Sequence, residues 1–350
     1  MRTRTTTRLH LRPLAVLLAC LALLAPACGS AGSDQPGQSG NAITIGEQGT
    51  AAGASGLWPR LADDLGYLRE EGLTVQRYVS ATKGADAING MVSGEIQISL
   101  IGPEGIVASS KGADVVGIGA YFDRSVWGVV AAPGVTDWSQ LKGKTVALGS
   151  LSDITRVVFD QLATGAGLNP ATDLTYVALG ATPARVSAVQ NGQAAATIAT
   201  YPEFAKIAKA GLNDLGFAAP GAQPPALIAT EIEASREWAE ANPDAATGFL
   251  RAIDRTAAWV RDPANRPDAI DRISRLMDEP DTEAIAEMLD FYFPADGTAS
   301  SYLPAGLRHD PQTFDRTVEA YQQLGLLTRP VAEPDYMDYS YADKAVTDRG

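Results

Sequence analysis

Cysteine and histidine are almost missing from this 350-residue chain, which holds two of each. Cys20 and Cys28 both precede residue 29, so the sequence after them has no thiol for a disulfide, a thiolate–zinc site or a catalytic nucleophile. His10 lies in the same leading stretch, and a Ser–His–Asp triad would depend on His309. The surrounding "RHDPQTF" reads instead as a helix start, with Asp310 as cap and Pro311 at the first helical position. Carboxylates lack the D-x-D-x-D-G spacing of a cation loop, so no metal site is expected. Nucleotide signatures are missing too. Gly46, Gly49, Gly53 and Gly56 fit neither G-x-G-x-x-G nor G-x-x-x-x-G-K-[ST], and no lysine follows to reach a phosphate. No internal repeat is found. Neither a cofactor nor a set of catalytic residues is expected.

Acidic residues are absent before Asp34, whereas Arg2, Arg4, Arg8 and Arg12 open the chain. The apolar run Leu14 to Ala25 follows. It is shorter than the about 20 residues of a membrane-spanning helix, and suits the apolar region of a secretory signal. The run leads through "APAC" to Cys28, which resembles a bacterial lipoprotein cleavage box, with Ala25 where leucine is common. Residues 1–27 are therefore expected to be a signal peptide and Cys28 the lipidated residue that anchors the chain outside the cytoplasm. "LLAC" ending at Cys20 leaves the apolar region too short; an ordinary signal cleaved near Ala27 is the alternative. The stretch 28–41, rich in Gly, Ser, Pro and Gln, reads as a flexible tether. Loss of residues 1–27 removes four arginines and no acid, taking the formal charge from −13 to −17. That surface disfavours nucleic acid as a partner.

What remains is long enough for one large or two ordinary domains. Short β-branched runs alternate with amphipathic ones, the pattern of βαβ units and a mostly parallel α/β sheet. Strands are predicted at 42–46, 73–79, 96–102 and 114–122, with helices at 57–71, 83–93 and 103–111. A second series has strands at 126–132, 144–149, 174–180 and 194–200, with helices at 152–166, 183–191 and 202–210. "PPALIATEI" (224–232) gives one more strand, after which nearly everything to Leu327 reads helical.

Four motifs, in order, resemble the nitrate/sulfonate/taurine-type (thiamine-precursor-synthase-like) solute-binding proteins of ABC importers. They are "GYLREEGLTV" (66–75), "SGEIQI" (93–98), "DWSQLKGKTVAL" (137–148) and "YMDYSYADKA" (336–345). Gln97 stands where the family usually has aspartate. The resemblance covers about 43–345. It implies a two-lobed, type II-like periplasmic-binding-protein fold with a helical C-terminal part. Lobe 1 would be 42–123, lobe 2 126–218, and 222–350 would return to lobe 1, with hinges near 121–126 and 216–226. It also implies a small-molecule solute, an ABC permease with its ATPase as partner, a monomer, and no catalysis. An enzyme of the same fold, or a sensor without transport, is the alternative.

Ligands of such folds sit where the C-terminal ends of strands meet helix N-termini. That places Glu47, Gln48, Ser80, Thr82, Gly102 and Glu104 on the lobe 1 side. Ser150, Ser152, Asp153, Thr182, Tyr201 and Glu203 lie opposite, and Arg124 lies at the hinge. Trp58 is a candidate for stacking on the solute or for core packing. Ser80, Thr82, Ser152 and Thr182 are candidates for ligand donors or simple helix caps, and Glu104 for a ligand contact or a dipole-complementing charge. The acidic loops, offset only by Lys83, Arg124, Arg156 and Arg185, leave a sulfonate- or nitrate-like anion and a vitamin-precursor heterocycle both open.

Overall fold

Alternation of strand and helix builds two five-stranded sheets in the computed structural model, which describes residues 41–48, 54–81, 84–122, 124–200, 210–216, 226–293 and 302–347. Residues 1–40, which hold the proposed signal peptide and all of the tether but Asn41, and Gly49, Thr82, Lys83, Tyr201 and Glu203, lie outside the described residues.

The first sheet joins β1 (Ala42–Gln48), β2 (Thr74–Ala81), β3 (Ile98–Ile101) and β4 (Val115–Phe122). The second joins β5 (Trp127–Ala131), β6 (Lys144–Leu148), β7 (Leu174–Ala178), β8 (Ala196–Thr200) and β9 (Asn213–Gly216). Strand β10 (Thr230–Ser235) returns to the first sheet, giving the orders β2-β1-β3-β10-β4 and β7-β6-β8-β5-β9. Each sheet thus carries one antiparallel strand in the fourth place, β10 between β3 and β4, and β5 between β8 and β9. The chain leaves the first sheet at Phe122 and enters the second at Trp127; it leaves the second at Gly216 and re-enters the first at Thr230. The molecule is a bilobed α/β fold of the periplasmic-binding-protein kind with a helical C-terminal region.

Helices cover both sheets. Around the first lie α1 (Ala54–Asp64), α2 (Tyr67–Glu70), α3 (Gly84–Val92) and α4 (Glu104–Ser110). Around the second lie α5 (Ile154–Gly165), α6 (Pro170–Asp173) and α7 (Thr182–Gln190). The C-terminal region supplies α8 (Arg236–Ala241), α9 (Pro243–Arg261), α10 (Arg266–Met277) and α11 (Thr282–Tyr292). It continues with α12 (Pro311–Gln323), α13 (Glu333–Tyr336) and α14 (Ser340–Thr347). No described helix is long and apolar enough to cross a membrane. Helix α12 bridges the lobes: Ala320 and Tyr321 join the core of the second sheet with Val129, Phe159 and Ile198, whereas Phe314 packs with Ile101 and Tyr336 of the first.

Three sequence expectations are corrected. The helix 57–71 is two helices, because Gly66 adopts a left-handed φ of 82° between them. The strand placed at 224–232 begins only at Thr230 and runs to Ser235. Strand β9, "NDLG", was not foreseen; pairing with β5 holds a sequence of low strand propensity in place. The helix expected at 202–210 falls largely outside the described residues.

Gln97, the departure from the family aspartate, serves as a clamp. Its Oε1 accepts from the Thr44 N–H at 2.8 Å and its Nε2 donates to the Gly94 carbonyl at 2.8 Å. The "YMDYSYADKA" segment ties the C-terminus to the first sheet: Gly117 bridges Met337, and the Asp338 N–H donates to the Gly117 carbonyl at 2.8 Å.

Candidate functional site

The C-terminal ends of the parallel strands bring helix N-termini of both lobes to one place. Chain leaving β3 passes through buried Gly102 and Pro103 into α4, which starts at Glu104. Chain leaving β6 passes Gly149 and Ser150 into α5, capped by Asp153. Asp153 Oδ1 accepts from the Thr155 N–H at 3.0 Å and from the Thr155 hydroxyl at 2.5 Å. Ser152 is not the cap; its N–H is instead donated to Ser150 Oγ at 3.3 Å.

Glu104 is the most exceptional side chain in this region. Both carboxylate oxygens are buried with no hydrogen-bond partner of good geometry. Its own backbone N–H and that of Ile154, at the start of α5 in the other lobe, act on it in the lowering direction. Burial, and then the charge of Asp153, push its carboxyl up to about 7. Missing side chains leave it room: a Cβ on Gly84 would stand 2.6 Å from its Cγ, and one on Gly102 2.6 Å from its Oε2. Burial likewise raises Asp153, against the lowering effect of the Thr155 bonds.

Behind Glu104 lies a group that the sequence reading missed. Glu231 and Glu233 occupy alternate positions of β10 and are fully buried. The Tyr336 hydroxyl donates to Glu231 Oε2 at 2.9 Å, and His309 Nε2 lies 3.5 Å from Glu231 Oε1. Neither Glu233 oxygen has a hydrogen-bond partner, and burial followed by the Glu231 charge raises its carboxyl well above the usual range. Tyr321 of α12 also presents a buried hydroxyl with no partner, and Glu104 and Asp153 are the carboxylates acting on it most strongly.

The other expected site residues are distributed differently. Glu47 is fully buried and satisfied within lobe 1: Arg60 donates to both its oxygens, at 3.2 and 2.7 Å, and Ser80 donates to Oε1 at 3.0 Å. Trp58 lies in the lobe 1 core, edge-on to Tyr292 and Phe293 with ring centroids 6.1 and 5.2 Å away. Of its two readings, core packing describes its surroundings. Thr182 accepts from Arg185 Nη2 at 2.9 Å. Arg124 stands half-buried between the lobes, and Gln48 ends β1.

Two of the four cations named as counterweights, Arg185 and Arg156, are engaged within lobe 2, and Lys83 lies outside the described residues. Buried Arg185 donates to Thr182, Thr197 and the carbonyls of Gly180 and Ile198. Arg156 pairs with Asp160 at 2.7 Å and lies over the Tyr176 ring. Among the described residues, no group of three or more His, Cys, Asp or Glu side chains is placed to hold a metal ion. A separate groove of about 480 Å³ opens at the opposite, N-terminal ends of the lobe 1 strands, beside Ala42, Met91, Asp114 and Trp238. Ser235 and Asn242, the N-caps of α8 and α9, line part of it, but none of the unpartnered buried polar groups does.

The fold is similar to that of the alkanesulfonate-binding protein SsuA from Xanthomonas axonopodis pv. citri bound to MOPS. The identity is 16%, the TM-score 0.67, and 85% of this chain and 98% of that one are covered. It is also similar to the periplasmic aliphatic sulphonate-binding protein SsuA from Escherichia coli, at 20% identity and TM-score 0.62, covering 85% and 97%. A third likeness is to the periplasmic nitrate-binding protein NrtA from Synechocystis PCC 6803, at 12% identity and TM-score 0.62, covering 88% and 85%. No curated protein sequence matches the chain. The NMT1/THI5-like family profile matches residues 60–267, more than half of the sequence. The chain belongs to the NMT1/THI5-like family.

Proposed function

We propose that the protein is an extracytoplasmic solute receptor of an ABC importer, anchored through lipid on Cys28. It binds a small organic solute between its lobes and performs no catalytic step. The likeness to sulfonate- and nitrate-binding proteins supports the class. The ligand chemistry is argued from Glu104.

A buried carboxylate with two unmet oxygens, facing the other lobe, is built to accept hydrogen bonds from a ligand. An oxyanion placed there would meet Glu104, Asp153, Glu231 and Glu233, while Arg185 and Arg156 are already engaged. Opposed like charges in a buried site are unfavourable. A solute carrying an amine or amino-heterocycle edge therefore fits better than a sulfonate. The second reading, a sulfonate or nitrate, draws on the likeness to the alkanesulfonate-, sulphonate- and nitrate-binding proteins.

One thermal-shift screen separates the two. Nitrate and short alkanesulfonates form one arm; aminopyrimidines and other amino-heterocycles form the other. A ligand at 100 times its Kd stabilises the folded state by about 2.7 kcal/mol, a readily measured rise in Tm. The expected result is stabilisation by a member of the amino-heterocycle arm, weakened in Glu104→Gln. Stabilisation by sulfonates alone, equal or greater in Glu104→Gln, would overturn the ligand class.

A further inference from the structure

A buried arginine stands behind the lobe 2 wall of the site. Arg185, near the start of α7, is 4% exposed. A guanidinium only donates, and it keeps its charge even when buried. Its Nε donates to Thr197 Oγ1 at 3.3 Å, and Nη2 donates to Thr182 Oγ1 and the Ile198 carbonyl at 2.9 and 3.0 Å. Nη1 donates to the Gly180 carbonyl.

Hydrogen bonds run on from Gly180 to Asp153. The Gly180 N–H donates to the Gly149 carbonyl at 3.1 Å, and the Gly149 N–H to Thr155 Oγ1 at 3.0 Å. Thr155 directs its one hydroxyl proton to Asp153 Oδ1 at 2.5 Å. The loops after β6 and β7 are thereby joined to a single guanidinium. A Cβ on Gly149 would stand 2.8 Å from Asp153 Oδ2 and 3.5 Å from Arg185 Nη1, so both groups lie against the same point. An opposite charge at that range favours the ionised carboxylate.

We propose that Arg185 is a positioning residue of the candidate site, holding Asp153 in place as the acceptor for a donor group of the solute. Asp153 touches the solute, and Arg185 acts through it. The use of this acceptor rests on the receptor reading above, whereas the coupling of Arg185 to Asp153 belongs to the solute-free protein. Both Thr155 bonds fall on Oδ1, which leaves Oδ2 to accept. A protonated Asp153 would present a hydroxyl instead, and a solute N–H would lose its acceptor.

Burial raises the Asp153 carboxyl; the Thr155 bonds, the Arg156 N–H and the Arg185 charge act against it. Among the described residues, Glu104 of α4 and Tyr321 of α12 also feel the Asp153 charge, and neither brings a positive one. The Arg156 side chain is paired with Asp160. Loss of Arg185 should therefore let Asp153 take up its proton at a higher pH.

The test starts from the mature full-length protein without solute. Aspartate carboxyl carbons are followed by 13C NMR across the carboxylate range, and Asp153→Asn, which keeps a capping oxygen, identifies the Asp153 signal. The expected midpoint in Arg185→Gln is higher than in the parent by about one pH unit or more. Arg185→Lys, which keeps the charge but not the fork, should fall between the two. A reciprocal reading needs no change at Arg185. In the parent, the guanidinium 15N signal that Arg185→Lys abolishes should move with the Asp153 midpoint, and in Asp153→Asn it should stay fixed. With aminopyrimidine as the probe at neutral pH, Arg185→Gln should weaken binding about tenfold, the worth of one charged hydrogen bond. In an Asp153→Asn background the same change should add little. An Asp153 midpoint unmoved in Arg185→Gln, a guanidinium signal blind to Asp153, or an equal affinity loss in both backgrounds would overturn the inference. If aminopyrimidine does not bind, the ligand class fails, and the two NMR readings still decide the role of Arg185.

Discussion

Gly105 has no side chain, and that absence makes room for the buried acids. A Cβ there would collide with Glu233 Oε1 and the Tyr336 hydroxyl. Both are boxed in by β10 and α13, so neither can withdraw cheaply. Gly105→Ala should therefore lower stability by about 1–3 kcal/mol, the usual cost of overpacking, read as a lower urea midpoint at unchanged m. Tyr336→Phe should cost a similar amount, about 1–3 kcal/mol, by leaving the buried Glu231 oxygen without its donor. Glu104 was legible in the sequence because "GPEG" puts an acid in the first turn of a helix after a strand. Glu231 and Glu233 were not. "TEIEAS" alternates as a strand with one apolar face, and such a pattern normally means that the acidic face meets water. Here Gly105, Tyr336 and His309 cover that face, and they lie far away in sequence. Local pattern carries no information about such a lid.

Gly66 acts at the scale of the element. It lets the chain turn between α1 and α2, after which Leu68 is buried in the lobe 1 core and Glu71 pairs with Arg251 of α9 at 2.5 Å. A side chain in the left-handed region costs about 1–2 kcal/mol. Gly66→Ala should lower the thermal midpoint accordingly, and a midpoint equal to that of the parent would show that α1 and α2 can merge. The same glycine explains why leucine spacing suggested one helix: Leu61, Leu65 and Leu68 share the buried side across the break. Most strands were readable because both sheets are covered on two faces, which demands short β-branched runs. Strand β9 was not, since "NDLG" owes its conformation to β5 rather than to its own residues. The start of β10 was misplaced for a related reason. Leu227, Ile228 and Ala229 are as buried as strand residues, but they pack in the connection before the ladder begins at Thr230.

At the scale of the whole molecule, charge and attachment oppose each other. Without residues 1–27 the chain carries a formal charge of −17. Anionic lipid surfaces attract basic segments and repel acidic ones, so the folded lobes have no electrostatic reason to stay at a membrane. No described helix can span one. On the proposed reading, attachment rests on Cys28 alone. One acyl chain gives only marginal binding, whereas the several chains of a lipoprotein cysteine hold stably. Cys28→Ala should consequently shift the protein from the membrane pellet to the soluble fraction, or accumulate it as the uncleaved precursor. Solute affinity of the released protein should equal that of the parent, because the first sheet begins at Ala42, well beyond the cysteine. Retention of the mutant in the pellet at the parental level, after a high-salt wash that removes loosely held protein, would place the anchor elsewhere. A loss of solute affinity on release would instead mean that the segment before Ala42 takes part in the binding fold.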